Sequence, residues 1–308
     1  MTANKPLNIC FVTDNKPGHK NQLLGLEQSL KLRTEITSQW LSVADYPLSW
    51  WDVLFRRAPV ELSEVPDLIV AAGSTSQKLA YTLKRKYGAF LVLLMRPNIL
   101  PYGCFDAVIV PEHDNPPRRD NVHTTIGVLN KIRSSSSNYS SGKGLILVGG
   151  ESKHYHWSSD SVLSQIDTII QQNAGVKHWL IGDSRRTPAD FRTLFDDMFV
   201  DSDKVGFCAH EDTGASWLPQ QMAEVDTIWV TPDSVSMVYE ALTSGKPTGV
   251  FKLDPQKNGR IVQGITRLAQ QHKVMTVDCM DKTSFDCAAF CEADRVADWL
   301  LEHSRVSQ

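Results

Sequence analysis

The sequence predicts an α/β protein with two Rossmann-like domains facing a cleft. Short apolar runs of strand length alternate with helical patterns along the 308 residues, as they do in proteins with parallel sheets. The alternation stops at a Ser-rich segment over residues 134–142 and begins again after it. Because ligands bind beyond the carboxyl ends of parallel strands, we expect the functional residues in the loops that follow the strands.

Composition and charge exclude several classes of protein. Hydrophobic residues make up 42% and charged residues 22% of the chain, as in ordinary globular proteins. The net charge of −3 argues against binding to nucleic acid. No apolar run reaches the about 18 residues of a membrane span, and the first residues lack the pattern of a signal peptide. The six cysteines form no CxxC pair and are interpreted as reduced thiols, most of them in the core. We therefore expect a cytoplasmic protein with no metal site and no cofactor.

The two halves of the chain differ in charge, which supports two domains. Residues 1–133 contain 16 Lys and Arg against 12 Asp and Glu, a balance of +4. The totals of 32 and 35 leave 16 and 23 for residues 134–308, a balance of −7. We predict a first domain over residues 1–133, a flexible linker over 134–142 and a second domain over 143–308, whose final helix could pack back on the first domain.

The first half contains four apolar runs of strand length separated by helical patterns. Runs that are apolar on both faces are typical of buried parallel strands. The predicted strands are Leu7–Thr13, Asp67–Ala72, Phe90–Met95 and Ala107–Val110. The predicted helices are Lys20–Leu32, in which leucines recur at helical spacing, and Ser74–Tyr87.

The second half repeats this organisation. The predicted strands are Gly144–Val148, His178–Ile181, Thr227–Val230 and Thr248–Phe251. The predicted helices are Asp160–Gln172, one that opens with Thr187 as N-cap and Pro188 in its first turn, Val235–Ser244 and Gly259–His272.

The loop after the first predicted strand combines residue types that carry chemistry. Asp14, Lys16, Gly18 and His19 follow the strand and precede a helix. Glycine permits a close backbone approach, and a helix start offers N–H groups and a positive dipole end to an anion. Asp14 and His19 are predicted to be catalytic, with His19 as general base or as the partner of a phosphate. The alternative is a tight turn with solvated side chains.

Polar residues also follow the other predicted strands of the first half. Ser74 lies between a strand and a helix, where it either caps the helix or binds a ligand. Arg96 follows the next strand, and His113 and Asp114 follow the strand after it. Either of the last two could serve as an acid or base, with simple loop residues as the alternative.

Two loops of the second half suit a phosphate group. The first predicted strand of this half ends on paired glycines, which permit close approach of a diphosphate. Two arginines precede a predicted helix start after the second strand and could clamp a phosphate, unless they form a solvated basic turn. The candidate residues of these loops are Gly149, Gly150, Ser152, Ser184, Arg185 and Arg186.

The most specific segment covers residues 231–247. A strand ends there, Asp233 and Ser234 are placed to cap a helix, and Gly-Lys-Pro ends it. Hydroxyl groups of Ser234 and Ser236 and the N–H groups of the helix start would hold phosphates. The carboxylate of Glu240, further along the helix, could bind both hydroxyls of a ribose. The alternative is a capped helix of the core.

Several segments carry a resemblance to known proteins. The segment 231–247 resembles the donor-binding helix of GT-B glycosyltransferases, in which a serine-rich start contacts the diphosphate and a glutamate binds the sugar of the nucleotide. Gly18-His19 is similar to the Gly-His loop of the lipid II-forming peptidoglycan glycosyltransferase. Over nearly its full length the chain is identified as a member of the mitochondrial-fission (elongated mitochondria) family, through TDNKPGHKNQ (13–22), FDAVIVPEHD (105–114), GGESKHY (149–155), SRRTP (184–188) and TPDSVSMVYEALTSGKP (231–247).

The resemblance implies a GT-B-like fold and three alternative functions. Bacterial members look like GT-B enzymes of cell-envelope glycan or lipid synthesis. This implies a metal-independent transfer of sugar from a nucleotide-sugar, bound by the second domain, to a glycan or lipid-linked acceptor. The second alternative is a sugar-nucleotide epimerase of the same fold. The third is a non-enzymatic adaptor, since plant members are associated with recruiting a dynamin-related protein to mitochondria. The residues that we assign to the acceptor side are Lys16, Gly18, Ser74, Arg96, His113 and Asp114.

One segment of the first half is suited to a membrane surface. Residues 46–57 mix aromatic and basic side chains, among them Trp50, Trp51, Arg56 and Arg57. Aromatic rings prefer the headgroup level of a bilayer, and arginines favour anionic lipid. The segment therefore predicts peripheral contact at the inner face of the membrane, whereas packing of the tryptophans into the core is the alternative.

Overall fold

The computed structural model describes residues 5–134, 140–280 and 290–304. These residues divide into two compact units, one made of 5–131 with 291–304 and the other of 132–134, 140–280 and 290. Within these residues each unit contains one six-stranded parallel sheet. The predicted pair of Rossmann-like α/β domains is confirmed.

The first sheet is built from β1 (Leu7–Thr13), β2 (Ile36–Ser42), β3 (Leu68–Ala72), β4 (Phe90–Leu94), β5 (Ala107–Pro111) and β6 (Val122–Thr125). In the described part of this unit the strands pair in the order β2-β1-β3-β4-β5-β6, all parallel. The register places Thr13 beside both Ser42 and Ala72. The loops after β1, β2 and β3 therefore begin side by side at the carboxyl edge of the sheet.

Helices cover both faces of the first sheet. α1 (Pro17–Lys31) and α3 (Ser76–Tyr87) pack on the strands, and the short helix α2 (Trp50–Leu54) packs against α3. Leu23 and Leu26 of α1 pack with Phe11 on one face, and Leu79 and Leu83 of α3 pack on the other. The structure starts α1 at Pro17 rather than at residue 20, because proline fits the first turn of a helix. This start places the loop after β1 directly at a helix N-terminus.

The second sheet is built from β7 (Lys143–Leu147), β8 (His178–Gly182), β9 (Val205–Cys208), β10 (Thr227–Val230), β11 (Thr248–Val250) and β12 (Met275–Thr276). Across the described residues the order is β12-β11-β10-β7-β8-β9, again all parallel. β10 lies beside β7, and β8 lies on the other side of β7. The loops after these three strands therefore share one edge of the sheet.

Five helices of the second unit are described: α4 (Ser159–Gln172), α5 (Ala189–Met198), α6 (Trp217–Glu224), α7 (Val235–Thr243) and α8 (Arg260–Gln270). Side chains of α4, α5 and α8 share one core cluster with Trp179 and Trp229 of the sheet. α7 packs against β10 and β11, and its buried side chains include Val238 and Leu242. The start of α7 therefore lies at the same edge as the loops after β7 and β8.

The last helix, α9 (Glu292–His303), belongs to the first unit. Val296 and Leu300 lie in the core cluster that α1 also fills. Arg33, after α1, donates to Asp294 at 3.0 Å and to Asp298 at 2.5 Å and 3.0 Å. The second unit therefore ends at residue 290, whereas the predicted second domain extends to 308.

The end of the predicted linker is fixed to the second unit. The Asp226 carboxylate accepts hydrogen bonds from Ser140 Oγ at 2.8 Å and from the Ser141 and Gly142 amides at 2.8 Å and 2.7 Å. Burial raises the pKa of Asp226, but these hydrogen bonds bring it below its ordinary value. The structure therefore ties residues 140–142 to the second unit, the flexibility of the linker stays a prediction, and linker residues 135–139 lie outside the described residues.

Two expectations from composition concern the burial of the cysteines and the absence of a membrane-spanning segment. Cys10 is buried, and burial raises its pKa to about 12. Cys104 and Cys291 are half-buried and pack against the core clusters of the first unit, Cys208 is half-buried and Cys279 is exposed. Among the described cysteines, the prediction of a core position therefore holds in full for Cys10 and in part for Cys104 and Cys291. Cys287 lies outside the described residues. None of the helices in the described ranges is long and apolar enough to cross a bilayer.

Candidate functional site

The loop after β1 holds an aspartate–histidine pair. His19 Nδ1 lies 2.8 Å from Asp14 Oδ1 and 3.0 Å from Oδ2, and the Asp14 side chain is only 4% exposed. Burial raises the pKa of Asp14, but the hydrogen bonds from His19 and from the Lys16 amide, with the charges of both side chains, bring it below its ordinary value. The carboxylate is therefore ionised and Nδ1 is the nitrogen that donates, so Nε2 is the ring nitrogen that can accept a proton.

Gly73, at the end of β3, makes room for this pair. Its φ is +92°, a conformation that side chains with a Cβ rarely adopt. A Cβ there would lie 2.5 Å from His19 Nδ1 and 2.8 Å from Asp14 Oδ2. The pair therefore lies directly against the backbone of the next strand end, and a larger residue at 73 would displace it.

Left-handed backbone recurs at this edge of the first sheet. Asn15 after β1, Met95 after β4 and Asn115 after β5 have φ values of +60°, +79° and +47°. Non-glycine residues in this conformation are uncommon and concentrate at functional sites. The loops that carry the predicted residues are therefore the places where this sheet departs from relaxed geometry.

Ser74 does not cap α3, so that interpretation is wrong. The N-cap is Thr75, without a side-chain capping bond. Ser74 Oγ instead accepts a hydrogen bond from Asn98 Nδ2 at 2.7 Å, and Ser76 Oγ donates to the Gly73 carbonyl at 2.8 Å. Ser74 thus connects the loops after β3 and β4, and its role in ligand binding stays a prediction.

The other predicted residues of this unit follow its strands at the same edge. Lys16 is exposed, with Nζ 3.6 Å from the buried carboxylate of the pair. Gly18 lies in the first turn of α1, and no described atom lies within 4 Å of where its Cβ would be. Arg96 is exposed after β4, and His113 and Asp114 are half-buried in a 3-10 turn after β5. The structure brings Lys16 to the pair, and Arg96, His113 and Asp114 follow β4 and β5 at the same edge of the sheet.

In the second unit, a buried carboxylate joins the loops after β7, β8 and β10. The Asp233 side chain is fully buried, and its Oδ2 accepts from the Gly150 amide at 3.0 Å and lies 2.8 Å from Arg186 Nη2. Burial raises the pKa of Asp233 above its ordinary value, against the opposing effects of the Thr231 hydroxyl and the Arg186 charge. The Asp233 carboxyl group therefore holds the three loops together at this edge.

The positions of the paired glycines after β7 leave no room for a side chain, because Asp233 and the backbone of Arg186 lie against them. A Cβ on Gly149 would lie 2.2 Å from Asp233 Oδ2, and one on Gly150 would lie 2.0 Å from the Arg186 carbonyl. The Gly149 amide donates to Thr231 Oγ1 at 2.7 Å. Contacts within the protein thus account for both glycines, and their contact with a diphosphate stays a prediction.

The turn before α5 is held by hydroxyl groups. Ser184 Oγ donates to the Gly149 carbonyl at 2.6 Å, and Thr187 Oγ1 donates to the same carbonyl and accepts from the Ser184 amide. Pro188 is the N-cap of α5, so the predicted capping by Thr187 is wrong by one residue. Arg185 is exposed and has no ion-pair partner among the described residues.

The start of α7 has no side-chain cap. Ser234 occupies the N-cap position without a capping hydrogen bond, and Asp233 uses its carboxylate elsewhere, so the predicted capping by these residues is wrong. Ser236 is exposed in the first turn, and Glu240 is buried near the C-terminal end of α7. The hydroxyl of Ser236 and the first turn of α7 therefore lie open at the edge of the sheet.

Ser152 shapes the loop after the glycines. Its Oγ accepts from the His154 and Tyr155 amides, both at 3.2 Å, and Gln256 Nε2 donates to the Ser152 carbonyl at 3.1 Å. Burial and the nearby charge of Asp233 raise the pKa of Tyr155 to about 12. This loop and the segment after β11 are therefore joined by hydrogen bonds beside the buried Asp233 carboxylate.

Sequence reasoning missed a second aspartate–histidine pair. Asp183 directly follows β8, and its Oδ1 accepts from the His210 amide at 2.5 Å and lies 3.2 Å from His210 Nδ1. The Trp217 ring packs against Gly182 beside it, 2.8 Å from where a Cβ would be. Asp183 could have been found by its position at a strand end, but nothing in the sequence pairs it with His210.

No group of three or more His, Cys, Asp or Glu side chains suited to a metal ion is present in the described ranges. Two aspartate–histidine pairs lie at the two sheet edges, Asp14 with His19 and Asp183 with His210.

Comparison with solved structures identifies the fold. The UDP-GlcNAc 2-epimerase of Methanocaldococcus jannaschii matches with a TM-score of 0.58 and 11% identity, covering 96% of this chain and 100% of that one. MurG of Acinetobacter baumannii matches with a TM-score of 0.51 and 10% identity, with the same coverage. The chain therefore has the GT-B fold of paired Rossmann-like domains, as predicted.

Comparison of sequences identifies the family. The uncharacterized protein RP120 of Rickettsia prowazekii is 25% identical over 296 residues, covering 80% of this chain and 83% of that protein. The sequence model described as Mitochondrial fission ELM1 matches residues 17–304, nearly the whole chain. The match includes the loop of His19, the turn of Arg186 and the helix of Glu240, and the chain belongs to the Mitochondrial fission ELM1 family.

Proposed function

We propose that this chain is a GT-B-type glycosyltransferase that moves a sugar from a nucleotide-sugar to a glycan or lipid acceptor of the cell envelope. The observation that carries the proposal is the Asp14–His19 pair, a buried ionised carboxylate aligned on an imidazole. A pair of this kind orients a general base that can activate a hydroxyl group. The fold shared with MurG, and with an enzyme named for UDP-GlcNAc, supports a nucleotide-sugar as donor.

The chemistry assigned to the first unit is proton removal. The acceptor hydroxyl loses its proton to His19 Nε2 while its oxygen attacks the anomeric carbon of the donor sugar. The bond from that carbon to the diphosphate oxygen breaks, and the nucleoside diphosphate leaves with the electron pair. Asp14 stabilises the imidazolium that forms, as a carboxylate does in other base–carboxylate pairs. Lys16, Ser74, Arg96, His113 and Asp114 are proposed to hold the acceptor at this edge.

The donor is proposed to bind at the edge of the second unit. The uncapped start of α7 and the hydroxyl of Ser236 offer donors to a diphosphate. Arg185, exposed and without an ion-pair partner in the described ranges, supplies a cation. Glu240 on the same helix is proposed to bind the ribose hydroxyls. The N–H groups at the start of α7 and the Arg185 cation would stabilise the leaving diphosphate without a metal.

The proposed lipid acceptor determines where we place the enzyme in the cell. A lipid-linked acceptor would be held at a membrane surface, so we place the enzyme in the cytoplasm at the inner face of the membrane.

Donor binding is tested by thermal unfolding with a panel of nucleotides and nucleotide-sugars, with and without magnesium. A ligand present at 100 times its dissociation constant adds about 2.7 kcal/mol of stability. We expect one nucleotide class to stabilise the protein without magnesium and Glu240→Ala to abolish the effect. Glu224→Ala, on the surface at the end of α6, is the matched control and should keep it. If no nucleotide stabilises the wild type, the transferase proposal fails and an adaptor role takes its place.

Catalysis is tested by release of the nucleoside diphosphate in the presence of membrane extract as acceptor. His19→Ala should lower turnover by about 10²–10⁴-fold, the usual contribution of a general base. His178→Ala, exposed at the amino end of β8, is the matched control and should leave turnover unchanged. Interconversion of sugar isomers without an acceptor would instead identify an epimerase.

A further inference from the structure

Four large apolar side chains of one short segment are exposed to solvent. Trp50, Trp51 and Leu54 of α2, with Phe55 directly after it, have exposed fractions between 54% and 67%. Val53 is the member of this segment that is buried. Packing of the tryptophans into the core, the alternative considered from the sequence, is therefore wrong.

Local contacts support the segment in this arrangement. Ser49 and Asp52 form a capping box, in which the Asp52 amide donates to Ser49 Oγ at 3.2 Å and the Ser49 amide donates to Asp52 Oδ2 at 2.9 Å. The rings of Trp51 and Phe55 stack with centroids 6.1 Å apart. The capping box and the ring stack therefore support the helical turn that presents the exposed apolar surface, and such preorganisation lowers the entropic cost of contact with a partner.

Cations surround the apolar side chains. Arg56 and Arg57 follow the segment and are exposed, Lys78 Nζ lies 4.3 Å from the Trp50 ring centre, and Arg85 donates to the Val53 carbonyl. The Asp52 carboxylate accepts the hydrogen bonds of the capping box, and its pKa is lowered by these bonds and by the charge of Arg57. Arg56 and Lys78 have no carboxylate partner among the described residues.

We propose that this patch, defined as Trp50, Trp51, Leu54, Phe55, Arg56 and Arg57, docks on a bilayer surface that carries anionic lipid. Aromatic rings bordered by arginines match the headgroup region, where apolar bodies enter the acyl boundary and cations meet phosphate groups. The same cations oppose a second copy of the chain as occupant, because a symmetric contact would bring like charges together. The inference extends the proposed membrane location to a defined surface, and it does not require the nucleotide site.

The test is co-flotation of the full chain with lipid vesicles. Vesicles of phosphatidylcholine with about 30 mol% phosphatidylglycerol are compared with phosphatidylcholine alone, at about 0.1 M and about 0.5 M salt. We expect binding to the anionic vesicles that weakens at high salt. Arg56→Gln and Arg57→Gln should each weaken it about fivefold, and Trp51→Ser with Phe55→Ser should weaken it at least about tenfold.

Controls separate docking from folding and from other occupants. Leu32→Ser, on an equally exposed apolar residue after α1, should leave vesicle binding unchanged. Thermal midpoints and nucleotide stabilisation of all variants should equal those of the wild type, since the changed side chains are exposed. Equal binding of the Trp51→Ser/Phe55→Ser variant, or no binding of the wild type to anionic vesicles, would overturn the proposal. So would dissociation of a dimer in that variant, because it would identify a second copy as the occupant.

Discussion

Replacement of Arg186 by methionine tests the account of the buried Asp233 carboxylate. In the wild type Asp233 Oδ2 lies 2.8 Å from Arg186 Nη2, with Asp233 fully buried and Arg186 40% exposed. Methionine keeps the apolar stem of the side chain but removes the cation. The carboxylate then retains the Gly150 amide as a partner and loses its counter-charge.

The structure sets the size of the expected loss. Removal of one partner from a buried ion pair costs about 3–5 kcal/mol, because an uncompensated charge stays behind. The 40% exposure of Arg186 lets water screen the pair, so we expect about 3 kcal/mol, at the lower end of that range. For a unit of this size that corresponds to a fall in the unfolding midpoint of roughly 6–12 °C.

The dependence on pH provides the sharpest measurement. Burial already raises the pKa of Asp233 in the folded protein, so the folded state binds this proton more tightly than the unfolded state does. The free energy of unfolding therefore falls as pH rises from the ordinary pKa of 3.8 through the raised value. Without Arg186 the pKa rises further, so the loss caused by Arg186→Met should shrink as pH is lowered from about 7.5 to about 5.

Thermal unfolding followed by circular dichroism measures both effects. Arg185→Met is the matched control, since Arg185 is exposed and has no ion-pair partner in the described part of the chain; it should change stability by less than about 0.5 kcal/mol. Asp233→Asn combined with Arg186→Met should restore stability to within about 1 kcal/mol of the wild type, because no buried charge remains. A loss from Arg186→Met that is equal at both pH values, or is not restored in the double variant, would refute this account.

Three further predictions concern other parts of the molecule. Gly73→Ala should displace the Asp14–His19 pair and lower turnover by about 10²-fold with the fold kept, as measured by nucleotide release and circular dichroism. Burial, with the charges of neighbouring cations, lowers the pKa of His123 from 6.5 to about 4. The contribution of neutral His123 to stability is therefore complete above pH 6.5 and is lost as pH falls through about 4. His123→Phe should remove about 1–2 kcal/mol of this pH dependence of the unfolding free energy, a value discounted for partial solvent exposure. Asp226→Ala should lower the free energy of unfolding by about 1–2 kcal/mol, because it releases the end of the predicted linker. The loss should be largest above the lowered pKa of Asp226, and it should appear as faster proteolysis of that segment.

Position within the sheets decides which strands the sequence predicts. The eight predicted strands are the inner strands of the two described sheets, where both faces are covered and the runs are apolar throughout. The strands without a prediction, β2, β6, β9 and β12, are the four edges. β2, for example, reads ITSQWLS, and six of its seven residues are half-buried or exposed. An edge strand lacks a neighbour on one side, so the pattern that identifies a buried strand is incomplete there.

The two parts of the candidate site differ in how far the sequence predicts them. Asp14 lies in the loop after β1 and His19, five residues later, lies in the first turn of α1, so a single strand-to-helix connection brings them together and the sequence pattern predicts the pair. Asp183 and His210 meet only because β9 pairs with β8, which is a property of the sheet order. Gly73 becomes informative only once β3 is known to lie beside β1. Contacts within one loop are therefore predictable, and contacts between strand ends require the strand order.

The glycines after β7 show how one pattern can lead to an incomplete interpretation. Paired glycines at a strand end predicted the close approach of a diphosphate, and the group that lies against them in the structure is the Asp233 side chain, whose Oδ2 accepts from the Gly150 amide. Glycine is needed at both positions because protein groups would lie within 2.2 Å of an added Cβ. A diphosphate on the same amides would have to displace this internal carboxylate or lie against its charge. In the proposed donor site, binding therefore falls to the groups that remain open at this edge, the exposed Arg185 and the uncapped start of α7, while the glycines shape the loop that faces them.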